Sequence, residues 1–106
     1  MAIYMTAQWK CRPGAEKPVE EALRRFVFSV KQNEPDTRMY TALQNHDDAT
    51  SYMTYFIFEN EAARSFHSST DWVKQFTDVI YPESLEPVVF TEYRLLASTD
   101  GLVVEQ

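Results

Sequence analysis

The chain has little of several residue types that mark particular classes of protein. Cys11 is the only cysteine among 106 residues, so no disulfide and no cysteine-based metal site can form within one chain. The ten Lys and Arg residues are scattered, and with sixteen Asp and Glu the net charge is −6. This balance argues against a nucleic acid or an anionic membrane as the partner. Only two glycines and five prolines occur, which leaves little chain for long irregular loops.

No apolar run in the sequence approaches the roughly 20 residues that span a bilayer. The first residues lack a basic stretch followed by an apolar one, which argues against a secretory signal and predicts a cytoplasmic protein. An apolar content of 44% and an aromatic content of 14% indicate a packed domain. We expect residues 1–97 to form that domain and residues 98–106 to form a C-terminal tail.

The hydrophobic spacing predicts four strands and two helical regions. The strands are expected at residues 3–11, 37–43, 52–58 and 88–96, and the helical regions at 16–33 and 60–80. Asn60 and Thr70 are suited to cap helical segments, and Tyr81-Pro82 is expected to end the second region. The order β-α-β-β-α-β predicts a ferredoxin-like α+β fold, in which a four-stranded antiparallel sheet carries its helices on one face.

The third predicted strand is apolar or aromatic on both faces. Because side chains alternate along a strand, one face carries Tyr52, Phe56 and Phe58, and the other carries Met53, Tyr55 and Ile57. The helices of so short a chain can cover only one face of the sheet. The second face therefore predicts a homodimer in which two sheets pack against each other.

Several short motifs in this order resemble the antibiotic biosynthesis monooxygenase (ABM) family of dimeric α+β barrel proteins. They are the stretches 12–16 (Arg-Pro-Gly-Ala-Glu), 34–37 (Glu-Pro-Asp-Thr) and 58–63 (Phe-Glu-Asn-Glu-Ala-Ala), together with Tyr40, His67, Ser69 and Phe76. The resemblance extends over about residues 3–96. It implies the dimeric α+β barrel fold and a small-molecule site, but the family includes several reactions, so the fold does not select among them.

The haem-degrading branch of that family is excluded by the residues at three positions. The resemblance implies an asparagine, a tryptophan and a histidine ligand where this chain has Ala7, His67 and Thr77. Among the remaining branches are an isomerase and the oxygenases of polyketides and quinols. The oxygenase branches imply a monooxygenase without metal or cofactor, in which molecular oxygen oxidises an electron-rich aromatic substrate such as a quinol or a polyketide phenol or anthrone. Such a reaction needs a base and a dry cavity that holds a flat ring.

Within that hypothesis His67 is the expected catalytic base, since histidine ordinarily changes charge near neutral pH. The residues expected to shape the substrate site or donate hydrogen bonds there are Trp72, Tyr40, Phe56, Phe58, Phe76 and Gln8. No partner for His67 is evident in the sequence, and Glu34 before Pro35 is interpreted as a helix-ending charge. The adjacent His46, Asp47 and Asp48 are interpreted as a polar turn, and no metal site is expected.

Two other functions remain open from the sequence. Four positions depart from the ABM pattern. Asp36 replaces a glycine, Phe56 and Phe58 replace a glutamate and a tryptophan, and Trp72 replaces a second histidine. These changes favour a non-catalytic dimer that binds a small molecule. An isomerase that uses His67 for proton transfer is the other alternative.

Overall fold

The computed structural model describes residues 1–99 of the chain. Its elements are β1 (Ile3–Lys10), α1 (Glu16–Asn33), β2 (Thr37–Gln44), β3 (Ser51–Phe58), α2 (Glu61–Ser68), α3 (Asp71–Glu83) and β4 (Val89–Tyr93). The strands form one antiparallel sheet in the order β2-β3-β1-β4, which confirms the ferredoxin-like α+β fold. Among the described residues no helix is long and apolar enough to cross a membrane. Most of the predicted tail, residues 100–106, lies outside the described part.

Helix α1 forms because apolar residues recur at spacings of three and four along it. This spacing places Val19, Leu23, Phe26 and Val30 on one buried stripe. The helix ends at Glu34, whose φ of −123° and ψ of 81° are not helical, because a residue before proline avoids helical angles. The side chain of Glu34 is thereby placed at the end of the helical layer, where α1 gives way to β2.

The corner between α2 and α3 is fixed by side-chain caps at the start of each helix. The Asn60 side chain accepts the N–H of Ala63 at 2.9 Å at the start of α2. Thr70 accepts the N–H of Val73 at 3.3 Å, and its hydroxyl donates to the carbonyl of His67 at 2.8 Å. These contacts confirm both predicted caps. They also hold the end of α2 and the start of α3 in one geometry.

Two element ends differ from the sequence prediction. Helix α3 passes Ile80 and ends at Glu83, with Pro82 inside its last turn. The fixed φ of proline suits a helix, and here the missing N–H removes one hydrogen bond of a turn that is ending anyway. Strand β4 ends at Tyr93 rather than at residue 96, because the chain leaves the sheet edge there and Leu95 packs against the sheet.

The two faces of the sheet have different surroundings. One face packs against the helices in the main core, through the side chains of Ile3, Ala7, Trp9, Tyr52, Phe56 and Phe58. On the opposite face the paired residues Tyr4 and Ile57 are buried beneath Leu95, while Val89 and Tyr93 remain half exposed or more. The structure therefore confirms that β3 is apolar on both faces, and that the helices cover only one of them.

Candidate active site

A cavity of about 300 Å³ lies between the helices and the covered face of the sheet. Its wall is largely aromatic and includes Trp9, Phe26, Tyr40, Phe56, Phe58, Phe76 and Phe90. Four of the residues predicted for the substrate site are therefore brought together here. The volume falls at the lower end of the range for small-molecule sites, and the flat side chains suit a flat ligand.

His67 lines this cavity from the last turn of α2. Its ring centroid lies 5.1 Å from that of Phe58, 5.6 Å from that of Tyr40 and 5.7 Å from that of Phe26. The residue is 8% exposed, so the imidazole is held in an aromatic environment with little water. Packing of this kind restricts the orientation of the ring.

A buried carboxylate at the end of α1 orients the imidazole. Both oxygens of Glu34 lie within hydrogen-bond distance of His67 Nδ1, at 2.8 and 2.9 Å. The Thr37 hydroxyl donates to Oε1 at 2.6 Å, and the Trp72 indole N–H donates to Oε2 at 2.5 Å. Glu34 is only 4% exposed. Its interpretation as a helix-ending charge was therefore wrong, because the tertiary structure makes it the shared acceptor of three side chains.

The charge of Glu34 follows from these contacts. Burial by itself raises the pKa of this carboxyl, but the hydrogen bonds from His67, Thr37 and Trp72 outweigh burial and hold the pKa below its usual value. An ionised carboxylate can only accept hydrogen bonds, so His67 must carry a proton on Nδ1. Nε2 is then the ring nitrogen left for a ligand, as in other carboxylate–imidazole pairs.

Trp72 has a different place from the one predicted. It is half-buried at the start of α3, donates its indole N–H to Glu34, and is not among the residues that line the cavity. Its N–H is committed to the carboxylate and is not free to bind a substrate. Trp72 therefore supports Glu34, and through it His67.

Gln8 was predicted as a donor in the substrate site, and the structure contradicts this. The register pairs Gln8 with Met53 on β3 and with Val89 on β4. All three lie on the sheet face away from the helices, where Gln8 is exposed. The reason is the strand alternation: Trp9, the next residue, takes the inward position and lines the cavity.

Tyr40 lies in the cavity wall, stacked on Phe56 with ring centroids 4.6 Å apart. Burial raises the pKa of its phenol, the nearby Thr54 hydroxyl acts in the opposite direction, and the charge of Glu34 raises the pKa further. Tyr40 therefore remains a neutral phenol at neutral pH. It can donate a hydrogen bond but cannot serve as a base.

The fold and the cavity together define a ferredoxin-like α+β domain that encloses a small-molecule site between its helices and its sheet. The profile of the antibiotic biosynthesis monooxygenase family matches residues 2–79, and the chain belongs to that family. A comparison with curated proteins found no match.

Solved structures share this fold over nearly the whole chain. One of them, from Nitrosomonas europaea, carries the family's name and has a TM-score of 0.84 at 19% identity. The alignment covers 93% of this chain and 94% of that protein's chain. Another from Caulobacter crescentus has a TM-score of 0.83 at 20% identity, with 91% of each chain covered. At such identities the structural similarity shows the fold only, and the reaction has to be argued from the residues of the site.

Proposed function

We propose that this protein is a monooxygenase that uses molecular oxygen to oxidise an electron-rich aromatic substrate, without a metal or a flavin. Membership of the ABM family supports a monooxygenase. The observation that carries the proposal is the Glu34–His67 pair at the wall of an aromatic cavity. It provides an oriented base beside a dry space that fits a flat ring.

In the proposed reaction, Nε2 of His67 removes the proton of a ring hydroxyl, and Glu34 stabilises the imidazolium that forms. The resulting phenolate is electron-rich enough to reduce oxygen, and a ring carbon that bears hydrogen forms a C–O bond to it. The imidazolium returns its proton to the peroxide. Loss of the C–H proton and cleavage of the O–O bond then leave a carbonyl and water, so the substrate supplies all four electrons.

The open cavity bears on the non-catalytic alternative. A site packed shut by Phe56, Phe58 and Trp72 would decide for that alternative. In the structure Phe56 and Phe58 form part of the wall of a space of about 300 Å³, and Trp72 lies outside it. This arrangement leaves room for a bound molecule, which an enzyme and a binding dimer both require, so turnover is what separates the two.

We also propose that the protein forms a homodimer through the sheet face that the helices leave uncovered. On this face Leu43, Val89 and Tyr93 are 51%, 60% and 50% exposed, and Met53 and Tyr55 are half-buried. A surface of this composition is costly to leave in water. A cytoplasmic location remains a prediction from the sequence.

The direct test is oxygen uptake by the chelator-treated protein over a panel of hydroquinones, anthrones and naphthols. We expect saturable uptake that is lost in His67→Ala. His46→Ala is the matched control, since His46 is the only other histidine and its side chain is 99% exposed. Oxygen uptake that persists in His67→Ala would contradict the proposed role of His67 as the base. Turnover without uptake would favour the isomerase, and binding without turnover would favour the non-catalytic dimer.

A further inference from the structure

Arg64 lies one helical turn before His67 on α2, and both side chains line the cavity. Its guanidinium donates to Glu61 through Nε and Nη2, at 3.1 and 2.6 Å. Nη1 donates to Glu92 on β4 at 2.8 Å and also contacts the sulfur of Met5 at 3.7 Å. The side chain as a whole is 28% exposed.

The contact with Met5 pairs a strong donor with a weak acceptor. A guanidinium N–H is a charged donor, whereas a thioether sulfur accepts hydrogen bonds poorly. Met5 belongs to the cavity wall as Arg64 does. A ligand oxygen that takes the place of this sulfur contact therefore gains a charge-assisted hydrogen bond, and the ion pairs of Arg64 with Glu61 and Glu92 can stay in place.

Several polar side chains near the cavity already have partners, whereas the Trp9 indole N–H and the Thr54 hydroxyl in the cavity wall are uncharged groups with no hydrogen-bond partner among the described residues. The Ser68 hydroxyl donates to the carbonyl of Arg64, and the Thr77 hydroxyl donates to the carbonyl of Lys74, both at 3.1 Å. The Trp72 N–H is bound to Glu34. Arg64 thus differs from these groups, because it combines a full charge with a donor that lacks a good acceptor.

We propose that Arg64 determines substrate specificity by donating a hydrogen bond to a second oxygen on the ring whose hydroxyl faces His67. The proposal rests on the proposed function, and it narrows the substrate to aromatics that carry oxygen at two positions. Residues three apart on a helix share one face, so the base and the charged donor can act on one ring. While His67 removes the proton from the first oxygen, the hydrogen bond from Arg64 to the second oxygen holds the ring in position.

The test measures binding without turnover. Isothermal titration calorimetry under anaerobic conditions compares 1-naphthol, which has one oxygen, with 1,4-naphthalenediol, which has two. We expect the wild type to bind the diol about tenfold more tightly, the ratio that a hydrogen bond to a charged group supplies. In Arg64→Met the two ligands should bind with nearly equal affinity, because the stem is retained and the charge is removed. Arg64→Gln, a second variant with a neutral polar side chain, should also lower the ratio.

Two control variants separate recognition from a structural role. Arg24→Met removes an arginine that is paired with Glu20 on the surface of α1, and it should leave the ratio at its wild-type value. Glu92→Gln weakens the link between α2 and β4 but keeps the guanidinium, so the preference for the diol should persist. If Arg64 only ties α2 to β4, Glu92→Gln will instead reproduce the loss seen in Arg64→Met.

Three results would overturn the proposal: an unchanged ratio in Arg64→Met, a loss of preference in Glu92→Gln, or no binding of either ligand to the wild type. Because no oxygen is present, these outcomes do not depend on the oxidation. If the diol binds through Arg64 but no oxygen is consumed, the role of Arg64 stands and the proposed oxygenase activity is refuted. If oxygen is consumed but the preference for the diol does not depend on Arg64, only the role of Arg64 is refuted.

Discussion

The replacement of Glu34 by glutamine tests the buried carboxylate on which the site depends. Glutamine keeps the size of the side chain and one carbonyl oxygen, which can still accept from Trp72 and His67, and the Thr37 hydroxyl can turn to accept from the new amide. What is lost is the charge on three hydrogen bonds of 2.5 to 2.8 Å. Bonds to a charged group contribute about 1.5–3 kcal/mol and neutral bonds about 1 kcal/mol. We therefore expect Glu34→Gln to lower the free energy of unfolding by about 2 kcal/mol at neutral pH.

The difference in the free energy of unfolding between the wild type and Glu34→Gln should become smaller as the pH falls. The folded-state pKa of Glu34 is held below its usual value, so the carboxylate stabilises the fold above the unfolded-state pKa of about 4.3. That stabilisation is lost as the pH falls through the lower folded-state pKa, where Glu34 becomes protonated and resembles glutamine. The stabilities of the wild type and Glu34→Gln should then converge in acid.

The assay is urea unfolding followed by circular dichroism at a fixed protein concentration, from neutral pH down to the acid limit of the folded state. Glu20→Gln is the matched control, because Glu20 accepts from Arg24 on the exposed surface of α1, and its effect should stay below about 0.5 kcal/mol. A Glu34→Gln effect as small as that of the control would refute the reasoning. A difference that does not shrink in acid would show that the charge of Glu34 is not its cause.

Two further predictions concern Trp72 and the uncovered face of the sheet. Trp72→Phe keeps the aromatic packing but removes the N–H that binds Glu34. It should lower the free energy of unfolding in urea by about 1–2 kcal/mol, and unchanged stability would show that this hydrogen bond contributes nothing. Tyr55→Glu places a charge in the proposed dimer interface and should convert a dimer to a monomer in light scattering, whereas Glu20→Gln should remain dimeric. A wild type that is already monomeric would contradict the predicted assembly.

The sequence alone determined the order of the elements, because that order depends on local patterns. The apolar spacing along α1, the caps Asn60 and Thr70, and the alternation in β1 and β3 are each contained in a short stretch of chain. The family resemblance and the aromatic residues around His67 could be identified for the same reason. The predicted ends of α3 and β4 were less accurate, because the end of a helix at Pro82 and the path of the chain after Tyr93 depend on contacts outside their own stretch of sequence.

Only the tertiary structure decided which polar groups meet at the site. Glu34 lies 33 residues from His67 and 38 from Trp72 in sequence, and no local pattern distinguishes a buried acceptor from a charge that ends a helix. Gln8 is a different case, because β1 alternates between apolar residues at 3, 5, 7 and 9 and more polar residues at 4, 6, 8 and 10. This local pattern already indicates that Gln8 faces away from the helices. Arg64 was missed because a helical arginine three residues after Glu61 resembles a solvent-exposed ion pair until the cavity beside it is known.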